Sequence, residues 1–235
     1  MSGSSTVTGS VLDGWAYKPV GRFLRSCVQE GVLFPIVRFL TPVALRGRER
    51  LDGLEGPVIV TANHVSHLDT PVVLIGLPRR IRRRLLVAAA KDYFYSSRVK
   101  GALVSLSLAT YPFDREEGSR DSIAETEAIL RHGWSLLIFP EGTRSPSGEL
   151  GRVRSGAAVL ASSCRVPVLP IYVHGLAKVM PKGTAAPLPG GVVVDIGDPI
   201  VAEAGESVPA LRDRIEAALR TLAQQAPEWG GSKAS

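Results

Sequence analysis

Two cysteines in 235 residues, Cys27 and Cys164, are too few and too widely spaced for a disulfide framework or a thiolate metal site. Both fall in apolar helical patterns and read as buried, reduced thiols, which suits a cytosolic setting. No uninterrupted apolar run approaches the roughly 20 residues needed to cross a bilayer. The N-terminus lacks a basic stretch followed by an apolar core, so neither a span nor secretion is expected. Aromatics make up 6% of the chain and do not stud the run of arginines at 79–84, and no helix-turn-helix pattern accompanies that run, so nucleic acid is not an expected partner. Acidic residues are the scarcer charge, 22 against 28 basic, for a formal net charge of +6.

The excess of basic charge is uneven. Residues 1–100 carry 15 Lys+Arg against 7 Asp+Glu, while the remaining 135 carry 13 against 15. A mean hydropathy of +0.13 and a pI near 9.6 point to contact with something apolar and anionic. The length fits one domain with a real core, and neither an internal repeat nor a linker divides it.

Residues 1–10 are rich in Ser, Thr and Gly and read as disordered. Val20, Phe23, Leu24, Cys27 and Val28, then Val32, Leu33, Ile36, Val37 and Leu40, give two apolar stripes at helical spacing on either side of Gly31. These two amphipathic helices either pack on the core or lie in a lipid interface with their arginines at anionic headgroups. Arg79, Arg80, Arg82, Arg83 and Arg84 form a cluster that is either a solvated face or a surface for an anionic membrane or phosphorylated ligand.

Strands are predicted at residues 57–62, 85–90, 103–111, 134–139, 166–173 and 192–196, with helices between them and a closing helix through Val208, Leu211, Ile215, Leu219 and Leu222. Pro167 and Pro170 predict that the 166–173 strand is an edge or bulged strand. The tail after Pro227 reads as frayed. Alternating strands and helices imply an α/β fold, a mostly parallel sheet flanked by helices, with ligands beyond the carboxyl ends of the strands.

Three polar clusters follow strands: His64 to Asp69, Asp114-Arg115, and Glu141 to Arg144. Histidine titrates near neutrality and can take a proton from a hydroxyl, and a carboxylate can fix its tautomer. Five residues apart, His64 and Asp69 lie about 140° apart on a continuous helix, so they meet only if His64 is in a loop and Asp69 in the first helical turn. Two other readings compete. Asp69 is a helix cap in a Ser66-x-x-Asp69 box, or His64, His67 and Asp69 bind a metal. No serine or cysteine nucleophile accompanies the histidine, so direct attack by a substrate hydroxyl is the natural chemistry. Arg and Lys in the same pocket suit a phosphate.

Four segments in order, Asn63-His64-x4-Asp69, Phe113-Asp114-Arg115, Phe139-Pro140-Glu141-Gly142-Thr143-Arg144 and Val166-Pro167-Val168-Leu169-Pro170, together resemble the motifs of the glycerolipid acyltransferases. The closest likeness is to bacterial 1-acylglycerol-3-phosphate acyltransferases, over about residues 20–200. The resemblance implies that His64 deprotonates an acceptor hydroxyl that attacks an acyl thioester, with Asp69 orienting His64. It further implies that Lys91, Arg115, Glu141, Gly142, Thr143 and Arg144 contact the phosphate or glycerol of a lysophospholipid, and that Pro170 marks an acyl donor or acyl chain site. Where relatives often carry Phe-Lys-x-Gly, this chain has Val153-Arg154-Ser155-Gly156, so Arg154 is the corresponding cation. No metal or cofactor is implied beyond acyl-coenzyme A or acyl-carrier protein as co-substrate. The implied organisation is one acyltransferase domain over 11–226, with membrane-docking helices in 11–45 and an α/β core in 46–226. It would sit on the cytoplasmic face of an anionic membrane.

Overall fold

The computed structural model describes residues 12, 14–90, 107–113, 120–145, 147–181, 184 and 187–225. The expectations for Lys91, Asp114, Arg115 and the two chain ends lie outside the described residues.

Seven strands build one sheet: β1 (Val43–Arg46), β2 (Ile59–Ala62), β3 (Leu85–Ala90), β4 (Thr110–Phe113), β5 (Ser135–Ile138), β6 (Val168–His174) and β7 (Val192–Ile196). Their order is β1-β7-β6-β2-β5-β3-β4. All neighbours run parallel except β6 and β7. The inner strands are rich in Val, Ile and Leu because helices cover both faces. On one face, α5 (Arg120–Arg131), α6 (Gly156–Cys164) and α8 (Val208–Gln224) bring Ile129, Leu160, Leu211 and Ile215 against Leu86, Leu136 and Val168. On the other, α3 (Asp69–Gly76) and the N-terminal helices bring Val72, Leu74, Phe34 and Val37 against Val60, Leu137, Leu169 and Ile171. Short helices α4 (Arg79–Arg82) and α7 (Leu176–Val179) complete the set.

The structure corrects several expectations. Of the two expectations for β6, edge or bulged, the second holds: β6 is an interior strand, and its prolines are accommodated by an irregularity. Between the pairs Val168↔Ile200 and Ile171↔Ile196, two residues of β6 oppose three on the partner, so the donor that Pro170 lacks falls where the ladder is already broken. Of the 103–111 run, residues 107–108 are helical and a strand begins at Thr110, while residues 103–106 lie outside the described residues. β1 begins inside the segment assigned to docking helices, and its pairing with β7 draws residues from Val43 onward into the sheet.

The two N-terminal helices are present but continuous. α1 (Pro19–Val28) passes through a π-helical turn (Gln29–Leu33) into α2 (Phe34–Leu40). Pro35 cannot donate to the ladder, and the widened turn lets the Phe34 amide bond the Gln29 carbonyl five residues back. The amphipathicity of α1 is inverted, whereas α2 keeps Phe34 and Val37 in the core and leaves Phe39 outside. Val20, Phe23 and Phe39 are 69%, 63% and 88% exposed, whereas Arg25, Ser26 and Gln29 are buried. Gln29 Nε2 donates to the Ser107 carbonyl at 2.7 Å, and an Arg25 nitrogen reaches the Arg83 carbonyl at 3.4 Å. Burial lowers the Arg25 pKa to about 10. Cys27 lies on the outward stripe and is exposed, against the expectation of a buried thiol.

Candidate active site

β2 delivers the site loop and α3 closes it. At the end of β2 the Asn63 side chain continues the ladder in place of backbone: its Nδ2 donates to the Val173 carbonyl at 3.1 Å, and its Oδ1 accepts the Val173 amide at 2.7 Å. This clamp to β6 fixes where the chain leaves the sheet, one residue before His64. The sequence places Asn63 in the first motif but does not show this role, which depends on Val173 in a strand far along the chain.

His64 and Asp69 meet as the loop-and-first-turn geometry requires. His64 Nδ1 lies 2.8 Å from Asp69 Oδ2, and the Asp69 side chain is fully buried while His64 is 20% exposed. The same oxygen accepts the Val65 amide at 2.6 Å and the Ser66 amide at 2.8 Å. The Ser66 bond is the reciprocal half of a capping box, whereas Ser66 Oγ accepts from Leu68 instead of Asp69. Asp69 is therefore both brace for the loop and partner of the histidine, so the two carboxylate readings merge. A carboxylate only accepts, so it fixes the proton of neutral His64 on Nδ1 and leaves the Nε2 lone pair outward.

The third motif supports the first. β5 pairs with β2, and the chain beyond it stacks Phe139 on the His64 ring, centroids 4.2 Å apart and planes at 19°. Glu141, buried, accepts the His64 amide at 2.8 Å with Oε1 and the Gly151 amide at 2.8 Å with Oε2. Burial raises its pKa, and the two amides oppose the rise. The Ser145 amide closes the loop onto the His64 carbonyl at 2.7 Å. Gly142 is needed as glycine: its φ is +74°, and a Cβ there would lie 3.1 Å from Arg154 Nε. The Arg154 amide bonds the Pro140 carbonyl at 3.0 Å. Phe139 and Glu141 thus hold the histidine, a role that becomes visible only once β2 and β5 are neighbours.

The remaining candidates separate. Arg144 lies close enough to His67 to help lower its pKa, although the partial burial of that imidazole contributes most. Thr143 is exposed on the same turn. Pro170 is buried in β6, its ring filling the space at Gly197, and it makes none of the contacts around His64 among the described residues. Among the described residues no group of three His, Cys, Asp or Glu is placed to hold a metal ion. Nor does any serine or cysteine side chain there bond His64.

Residues 42–174, more than half the chain, match the sequence model of the family described as Acyltransferase. The chain belongs to the acyltransferase family. The matched span runs from the start of β1 to the end of β6 and contains every element of the His64 site just described. This acyltransferase is 40% identical over 169 residues to a 1-acyl-sn-glycerol-3-phosphate acyltransferase of Pseudomonas aeruginosa, covering 67% of this chain and 60% of that protein. It is 31% identical over 142 residues to the chloroplastic enzyme BAT2 of that name from Brassica napus, covering 60% and 39%. The acyltransferase thus spans less than two thirds of these curated relatives. A 1-acyl-sn-glycerophosphate acyltransferase of Thermotoga maritima shares its fold, with a TM-score of 0.66, 24% identity and coverage of 89% of this chain and 88% of that one.

Proposed function

We propose that this acyltransferase moves a fatty acyl group from acyl-coenzyme A or acyl-carrier protein to the free hydroxyl of lysophosphatidate, giving phosphatidate. The observation that carries the proposal is the His64–Asp69 pair, which leaves Nε2 free of protein partners among the described residues. The acceptor hydroxyl gives its proton to Nε2 as its oxygen attacks the thioester carbonyl. The tetrahedral intermediate then expels the thiolate, which takes the proton back from the imidazolium. Such general-base assistance is worth roughly 10²–10⁴ in rate. No acyl-enzyme forms, and no metal or other cofactor takes part.

Arg144 and Arg154, with Lys91 and Arg115, bind the acceptor phosphate, while Glu141, Gly142 and Thr143 shape the loop that holds its glycerol. Pro170 belongs to the acyl side. The enzyme docks peripherally on the cytoplasmic face of an anionic membrane through the outward stripe of α1 and α2. No helix among the described residues is long and apolar enough to cross a membrane. An outward apolar stripe with Phe23 of α1 and Phe39 of α2 in solvent gains free energy by entering a lipid interface.

The test is a mass-spectrometric product assay of the purified protein with oleoyl-coenzyme A and a panel of lysolipids. Phosphatidate as the main product is expected. A larger yield from a neutral lysolipid overturns the acceptor assignment. In the same assay Arg144→Ala raises KM for lysophosphatidate far more than for a neutral acceptor, and equal effects remove Arg144 from the phosphate site.

A further inference from the structure

A groove of about 410 Å³ opens between α1 and the arginine cluster, lined by Pro19, Arg22, Phe23, Arg80, Arg83 and Arg84. It is not the His64 site. Arg84 directly precedes β3, and its carbonyl accepts the Ser135 amide at 2.6 Å, so the groove lies at the N-terminal ends of β3 and β5. His64 stacks on Phe139 beyond the opposite end of β5.

The arginines of the cluster divide into two sets. Arg79 and Arg82 pair with Glu30, and Arg80 donates to the carbonyls of Leu51 and Leu54. Arg22 lies over the Trp134 ring at 5.8 Å. Among the described residues Arg22, Arg83 and Arg84 have no carboxylate partner. Arg22, Arg83 and Arg84 line one groove with no carboxylate among its lining residues, and an anion there would offset their like charge. A phosphate suits their planar donors better than a carboxylate because it presents more acceptor oxygens. The rim supplies the second half of the ligand's chemistry. Phe23, 63% exposed, lines the groove and belongs to the same outward apolar stripe as Val20, 69% exposed.

We propose that this groove is a binding site for the phosphate of an anionic glycerophospholipid, separate from the catalytic site. Arg22, Arg83 and Arg84 hold the phosphate, and Phe23 lies against the glycerol and upper acyl region. A soluble anion would leave that apolar rim in water, so the occupant is a lipid. The inference rests on the membrane-docking reading. It adds that recognition at the end of the sheet remote from His64 is by discrete headgroup contacts, not by net charge alone.

The test is co-sedimentation of the full chain with phosphatidylcholine vesicles, with and without phosphatidylglycerol, at fixed ionic strength. Wild type is compared with Arg83→Gln/Arg84→Gln and with Arg212→Gln/Arg220→Gln, which removes the same charge from α8. Thermal melts confirm that the variants fold. The groove variant is expected to lose about 20-fold in affinity for the anionic vesicles, while the α8 variant stays within about twofold of wild type. Equal losses in both variants mean that net charge binds, and they overturn the groove. Wild type released by millimolar inorganic phosphate at constant ionic strength marks a free-anion site and overturns the lipid assignment. Wild type that fails to bind either vesicle sinks the docking reading and the groove with it, an outcome distinct from groove failure alone.

Discussion

The Glu141 carboxylate accepts the His64 backbone amide at 2.8 Å, which ties the third motif to the first through a side chain to backbone bond. Its second oxygen holds the Gly151 amide at the same distance. One buried side chain therefore spans two loops that arrive from different parts of the chain.

Glu141→Ala leaves both amides without an acceptor, and each unsatisfied buried amide costs about 1–3 kcal/mol. Denaturant melts are expected to show that loss, and kcat falls with it because the His64 loop slackens. Glu141→Gln keeps one acceptor oxygen and lies between. A Glu141→Ala protein as stable as wild type would show that the carboxylate braces nothing.

Asp69→Asn preserves volume but supplies an amide where the Nδ1 proton of His64 needs an acceptor, so the ring is no longer held in one tautomer. A fall in kcat of roughly 10²–10⁴ is expected, with vesicle binding unchanged. Steady-state kinetics alongside a melt separate this from unfolding. Near wild-type kcat would reduce Asp69 to a helix cap.

His174, at the end of β6, lies 3.7 Å from Asp195 and packs on Tyr172 with centroids 4.7 Å apart. Burial pushes its pKa below the ordinary histidine range, against the opposing pull of Asp195. The unfolded chain therefore takes up this proton first as pH falls. Stability is fully present above about pH 6.5 and declines as pH drops from there through the folded value. His67 contributes in the same direction. Urea melts across this window are expected to give a shallower acid decline for His174→Gln than for wild type. Superimposable profiles would remove His174 from the linkage.

Much of this architecture is legible in sequence because its cause is local. The strand and helix alternation, the helix start at Asp69 and the clean stripe of α8 each follow from periodicity and capping chemistry. The meeting of His64 and Asp69 follows from five-residue spacing across a helix start. What was missed depends on partners far away in the chain. Pro170 marks an irregular strand, but only the pairing of β6 with β2 and β7 makes it an interior one. Nothing in the N-terminal stripes says which face meets the core, because Arg25 and Gln29 are buried by finding carbonyls at Arg83 and Ser107. Asn63, Phe139 and Glu141 acquire their roles from strand adjacency, which no short pattern encodes.

The central claim is that His64, aligned by Asp69, is the base for direct acyl transfer. Its most direct test compares kcat for wild type and His64→Ala with oleoyl-coenzyme A and lysophosphatidate, together with the intact mass of each protein after exposure to the donor alone. The account predicts a drop of roughly 10²–10⁴ in the variant, an unchanged melt and vesicle affinity, and no added acyl mass on either protein. A His64→Ala enzyme within tenfold of wild type, or a stable acyl adduct on the wild type, would contradict it.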